Sequence, residues 1–128
     1  MGADGAAARI LLVEDHEDTG RLIARLLKGA GYGVDHAVDV RSAIELFGQK
    51  QFDLVLSDLS LPDGSGLDLM RQIRSLRAGV PGICLSGYDS DSEAGDSREA
   101  GFVEHLTKPV ELSTLHACVA RVIAQRAV

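Results

Sequence analysis

Cysteine is scarce in this chain: Cys84 and Cys118 stand alone, with no CxxC pair and no paired-histidine spacing. That excludes a disulfide framework and makes a zinc site improbable, so both thiols are expected to be free and buried in a reducing compartment. The four histidines, His16, His36, His105 and His116, are scattered. Long apolar runs are also missing, since the longest are about strand length and a bilayer span needs roughly 20 residues. No signal peptide precedes Arg9, and the chain is expected to be soluble and cytoplasmic. Lysine and arginine nowhere cluster, and the formal charge is −6. A phosphate backbone needs a basic surface, so direct nucleic-acid binding is not expected.

What is present is enough for one core. A chain of 128 residues has the length of a single domain. At that size a domain buries roughly 65–70% of the surface its unfolded chain exposes, and folds without staples. The opening MGADGAAA is small and aperiodic, so residues 1–8 read as a frayed tail and residues 9–126 as the folded unit.

Apolar runs of strand length alternate with amphipathic runs five times, which predicts βαβ units and a parallel sheet. Strands are predicted at about 9–13, 33–37, 53–57, 82–85 and 102–106. The first helix, about 17–29, puts Leu22, Ile23, Leu26 and Leu27 on one face. The second is capped by Asp39 and presents Val40, Ala43, Ile44 and Phe47. Ser65 caps the third, with Asp68 in the capping-box place before Leu69, Met70, Ile73 and Leu76. The last, about 110–125, presents Leu112, Leu115, Val119 and Val122. The fourth helix, in DSDSEAGDSREA, has almost nothing apolar beyond Ala94 and Ala100 and should be the least stable element.

Chemistry gathers where the strands end. RILLV runs into Glu14 and Asp15, DLVLS into Asp58, ICL into Ser86, and GFVEHLT into Lys108. Each alone has an ordinary explanation as a loop acid, turn residue or surface cation. In a parallel sheet, however, all five emerge at one carboxyl edge, where open α/β sheets place their binding sites. Three carboxylates so close repel one another unless a cation intervenes. Oxygen ligands with retained water suit Mg²⁺, and Mn²⁺ also fits. Asp58 is placed to serve as both ligand and nucleophile, and an aspartate attacking phosphorus gives an aspartyl phosphate. Lys108 and the Ser86 hydroxyl are suited to holding the remaining phosphoryl oxygens.

The segments LLVEDHED, DLVLSDLSLPDGSG, ICLSGY and HLTKPV together resemble the receiver domain of two-component response regulators. The resemblance covers about Arg9 to Val122. It implies a flavodoxin-like (βα)₅ fold, doubly wound, with sheet order 2-1-3-4-5. It further implies Asp58 as phosphoacceptor, fed by a phosphohistidine on a histidine kinase or histidine phosphotransfer protein. Asp15 and Asp58 would bind Mg²⁺ through carboxylates, Glu14 through water and Ser60 through its backbone carbonyl. Ser86 and Lys108 would contact the phosphoryl group and report it to a downstream protein partner, through the face of the fourth helix, fifth strand and fifth helix. A cis peptide before Pro109 is typical of the family, although Pro109 can equally start a helix through a trans bond.

This chain departs from that pattern at two positions. His105 stands where many members carry a switch Tyr or Phe, and is either a switch imidazole or a strand-edge residue. The acidic pair is Glu-Asp rather than Asp-Asp. Ser60 and Tyr88 flank the pocket and are expected to influence the phosphoryl lifetime.

Two other classes fit less well. Asp89, Asp91 and Glu93 suggest a calcium loop, but Ala94 and Ala100 occupy the places of its Gly and Glu. A haloacid-dehalogenase-like phosphatase would need a second aspartate two residues after Asp58, where Ser60 stands. The expectation is a signalling module rather than an enzyme. AQRAV ends the sequence without a linker or DNA-binding segment, which suggests either a stand-alone regulator or a receiver of a larger protein. GFVEHLTKPVEL resembles receivers fused to hybrid histidine kinases.

Overall fold

The computed structural model describes residues 8–86 and 98–127. Tyr88, the calcium-loop candidates and most of the predicted fourth helix lie outside the described residues, as do residues 1–7 of the predicted tail. Residues 98–100 are helical.

Five parallel strands form one sheet: β1 (Arg9–Val13), β2 (Gly33–Ala37), β3 (Leu54–Asp58), β4 (Gly82–Ser86) and β5 (Phe102–Thr107). Their order is β2-β1-β3-β4-β5, the doubly wound, flavodoxin-like arrangement. Helices α1 (Glu17–Gly29), α2 (Val40–Gln49), α3 (Gly66–Leu76) and a C-terminal helix (Leu112–Ala127) complete the described elements. Strand limits match the sequence to within a residue. The differences matter, because Asp58 and Ser86 are the last residues of their strands, paired with Leu85 and Thr107, and not the first residues of loops.

Alternation along the strands divides the core in two. Leu11, Val13, Val55 and Cys84 pack with Ala43 and Phe47 of α2 and with Leu69, Met70 and Ile73 of α3. Ile10, Leu12, Leu54, Leu56, Ile83 and Leu85 pack with Ile23 and Leu27 of α1 and with Leu115, Val119 and Val122 of the C-terminal helix. Cys84 and Cys118 are both buried.

Three predicted core residues are not in the core. Leu22, Leu76 and Leu112 are exposed large hydrophobics. Gly20 and Ala24 take the buried places in α1, and Cys118 does so in the C-terminal helix. In α1 the buried stripe is shifted toward Gly20 and Ala24, whereas in α2 all four predicted residues are buried or packed against the core.

The caps fall largely where expected. Asp39 accepts from the Ser42 amide at 2.8 Å and Ser42 closes the box. Asp63 adds a second cap to α2, accepting from the Val40 and Arg41 amides at 2.8 and 3.1 Å. Ser65 accepts from the Leu67 amide at 2.9 Å. Asp68 departs from its expected role, since its exposed carboxylate turns to Arg71 at 3.2 Å, one turn along the helix.

Candidate functional site

At the carboxyl edge of the sheet the backbone ladder runs one residue past the strands. Glu14 donates its amide to the Ala37 carbonyl at 3.0 Å, Leu59 to Leu85 at 3.1 Å, and Lys108 to Ser86 at 2.7 Å. Glu14, Asp58, Ser86 and Lys108 are therefore held by backbone pairing rather than by loop conformation. After Asp58 the chain makes a short antiparallel pair, Ser60–Leu61 with Gly64–Ser65, before entering α3. Gly66 comes so close to the Asp58 carbonyl oxygen that any Cβ there would collide with it. Its amide donates to the Leu59 carbonyl at 2.8 Å, pinning the start of α3 against the Asp58 turn.

The structure brings Glu14, Asp58 and Lys108 together. The Lys108 ammonium lies 2.6 Å from Asp58 Oδ1 and 3.0 Å from Glu14 Oε1. Glu14 is fully buried, with Oε2 accepting from the His16 amide at 3.1 Å. Asp58 is also buried, yet its Oδ1 accepts no well-aligned hydrogen bond among the described residues. Asp15 is partly exposed at the rim, and its carboxylate, that of Glu14 and the His16 ring bring ligand atoms within 4.8 Å of one another. Ser86 is buried at its strand end, Ser60 is exposed, and the Lys108–Pro109 peptide is cis. His105 pairs with Cys84 in β5, half-buried, and its buried Nε2 has no hydrogen-bond partner among the described residues.

Electrostatics divides the two buried acids. Burial pushes Asp58 up, the adjacent Glu14 pushes it further, and Lys108 only partly offsets them, leaving its carboxyl at about 7. Glu14 also suffers from burial, but contact with the Asp58 carboxyl, the His16 amide and Lys108 outweighs this and holds it down at about 2. Burial works against the Lys108 charge, and Asp58 and Glu14 together raise its pKa nonetheless. One added positive charge would let both acids ionise. The buried Glu14 and Asp58 carboxylates, with Asp15 at the rim, form a hard oxygen donor set that fits a divalent cation.

Sequence reasoning missed two neighbours of this site. His16 was counted only among scattered histidines, although its position directly after Glu14 and Asp15 was a usable signal. His36 meets the Glu14 carbonyl through Nε2 at 2.8 Å, with its ring over Gly20, where a Cβ would collide. No local pattern reveals that contact, which spans adjacent strands.

Beside Lys108 a mostly apolar groove of about 440 Å³ opens between α1 and the C-terminal helix, lined by His16, Thr19, Leu22, Pro109, Val110 and Leu112 among others. It accounts for two of the displaced core residues, since Leu22 and Leu112 face this groove.

A doubly wound parallel sheet with buried acids and a lysine at its carboxyl edge defines a flavodoxin-like domain with a charged strand-end pocket. The chain belongs to the response regulator receiver domain family, which matches residues 10–120. It is similar to response regulator protein PilR of Pseudomonas aeruginosa, with 36% identity over 118 residues, covering 92% of this chain and 26% of that protein. The uncharacterized transcriptional regulatory protein YrkP of Bacillus subtilis is 39% identical over 119 residues, covering 93% of this chain and 49% of that one. Among solved structures, a CheY-like receiver domain protein from Methanospirillum hungatei is 27% identical, covers 95% of this chain and 98% of its own, and superimposes with a TM-score of 0.91. The non-phosphorylated HemR receiver domain from Leptospira biflexa is 35% identical, with 91% and 94% coverage and a TM-score of 0.86. The chain spans between about a quarter and a half of the length of these two regulators. No helix among the described residues is long and apolar enough to cross a membrane.

Proposed function

We propose that this receiver, folded over residues 9–126, accepts a phosphoryl group on Asp58 from the phosphohistidine of a histidine kinase or histidine phosphotransfer protein. The observation that carries this is the buried Asp58 Oδ1, 2.6 Å from the Lys108 ammonium at the strand edge. In its ionised form the Asp58 carboxylate attacks phosphorus in line with the bond to the imidazole nitrogen. The P–O bond forms as the P–N bond breaks, and the electron pair leaves with the imidazole. Lys108 and the Ser86 hydroxyl then hold phosphoryl oxygens. Glu14, Asp15 and Asp58, with the Ser60 carbonyl, would hold Mg²⁺ or Mn²⁺, which neutralises charge on the phosphoryl group.

The groove beside Lys108 supports the partner assignment, because an apolar trough next to the acceptor suits a helix that carries the donor histidine. Output passes to a downstream protein through β5 and the C-terminal helix, with His105 as the readout residue on that strand. The domain works in the cytoplasm as a self-modifying switch, and nucleic-acid contact is not assigned to it. The relatives support a receiver that governs an output segment of a response regulator. GFVEHLTKPVEL favours a second reading, the receiver of a hybrid histidine kinase. A stand-alone regulator acting by protein contacts is the remaining arrangement.

The direct test is incubation with acetyl phosphate and Mg²⁺, followed by intact mass. One phosphoryl group, sensitive to hydroxylamine and absent from Asp58→Asn, is expected. An unchanged mass, or an equal gain in the variant, would reject Asp58 as acceptor.

A further inference from the structure

We propose that Asp63 is a positioning residue for the reaction at Asp58: it ties the tip of the hairpin that follows Asp58 to the amino end of α2, and so fixes the acceptor turn. That role rests on Asp58 being the phosphoacceptor, as argued above, and adds the residue that holds its turn from outside the pocket.

The hairpin cannot hold itself. Ser60 pairs with Ser65 and Leu61 with Gly64, leaving Pro62 and Asp63 as an exposed two-residue tip. So short a ribbon is not stable in water without support from elsewhere. Its base is fastened, because Leu59 donates to the Leu85 carbonyl at 3.1 Å and Gly66 to the Leu59 carbonyl at 2.8 Å. Its tip is fastened by Asp63, whose Oδ1 accepts from the Val40 amide at 2.8 Å and Oδ2 from the Arg41 amide at 3.1 Å. With both oxygens of a charged acceptor engaged, the tip is fixed in orientation as well as distance. Apolar contact reinforces the tie: Leu61 is buried in the core cluster that Val40 packs against, and a Cβ at Gly64 would lie 3.4 Å from Val40 Cγ2.

The tie also serves α2. A helix leaves its first amides without internal acceptors. Asp39 takes that of Ser42 at 2.8 Å, and those of Val40 and Arg41 go to Asp63, 23 and 22 residues further along the chain. A carboxylate suits the positive end of the helix dipole. Since α2 is anchored in the core through Ala43 and Phe47, it gives the tip a fixed support. Asp39 provides a matched control, because it caps the same helix while its side chain bonds only to Ser42 among the described residues.

The test is the rate of labelling by acetyl phosphate at fixed Mg²⁺ in wild type, Asp63→Ala, Asp63→Asn and Asp39→Ala, with urea unfolding of each. Both alanine variants should lose stability, since each removes a cap from α2. Only Asp63→Ala should label more slowly, by about tenfold, with Asp39→Ala within about twofold of wild type. Asp63→Asn keeps one acceptor oxygen and should fall between wild type and Asp63→Ala. Hydrogen exchange at the Gly64 and Ser65 amides should quicken in Asp63→Ala and not in Asp39→Ala. Equal labelling of wild type and Asp63→Ala, or equal slowing by Asp39→Ala, would overturn the assignment and reduce Asp63 to a helix cap. Those results leave Asp58 standing as acceptor, whereas a wild type that takes no label, or the same label as Asp58→Asn, rejects the acceptor and this role with it. Should Asp63→Ala lack a cooperative urea transition, Asp63→Asn decides on the same terms: slowed labelling supports the role and a wild-type rate overturns it.

Discussion

At the scale of single residues, the site is governed by two acids that compete for one proton. Asp58 rises from an ordinary 3.8 to about 7 on folding, so between about pH 4 and 7 the folded chain holds a proton that the unfolded chain has released. Its contribution to stability therefore falls as pH rises through that window. Glu14 runs the other way, from 4.5 to about 2, and its contribution grows as pH rises from about 2 to 4.5. Metal-free Asp58→Asn should lose the decline above pH 4. It should be more stable than wild type near pH 8 by on the order of 1–2 kcal/mol, since a buried charge is removed. Urea unfolding across that pH range measures both, and parallel pH profiles for the two proteins would contradict the assignment. The residue types of this pocket were legible from the strand ends; how its protons are shared was not. Proton sharing depends on burial and on distances of 3 Å or less, and a sequence carries neither.

At the scale of elements, α3 matters because its first residue touches the turn after Asp58. Ser65 as its cap was readable from a local pattern, as was the Asp39 box of α2. The need for Gly66 was not, because the obstacle is the Asp58 carbonyl on another element. Gly66→Ala should destabilise the fold by about 1–3 kcal/mol, since the backbone must shift to relieve the collision. Acetyl phosphate labelling should slow in parallel, as the Asp58 turn moves. Gly48→Ala in α2 meets nothing within 4 Å and should stabilise by roughly 0.5–1 kcal/mol. Chemical denaturation of the pair checks the contrast, and matching effects would show that helix propensity rather than crowding decides. Strand positions were read well because period-2 burial on a two-sided sheet leaves continuous apolar runs. Helix faces were read less well, because periodicity marks a stripe but not its width, and Leu22, Leu76 and Leu112 fell outside it.

At the scale of the whole molecule, Leu22 and Leu112 turn outward beside the pocket rather than inward to the core. Leu22→Glu should therefore leave stability within about 0.5 kcal/mol, as for other surface changes. Labelling by acetyl phosphate should be unchanged, while transfer from a phosphorylated histidine protein should slow by about tenfold, as expected when a charge enters an apolar contact. Comparison of the two donors is decisive: equal slowing by both would place the defect in the pocket, and no slowing by either would remove the groove from donor recognition. The order of the sheet was foreseen through the receiver resemblance, since strand–helix alternation and strand-end chemistry predict a parallel sheet but leave its strand order open. The groove was not foreseen, because it exists only where two helices distant in sequence, the first and the last described, approach over one sheet edge.

Lys108 reaches Glu14 across 94 residues of chain. Synthesis runs from the amino terminus, so a growing chain presents Glu14, Asp15 and Asp58 well before their lysine leaves the ribosome. Until β5 docks, the three acids have no cation of their own, and the sheet lacks the strand that fixes Lys108 to Ser86. If Asp58 is the acceptor proposed above, it is translated early and armed last, which would tie competence for signalling to completion of the domain.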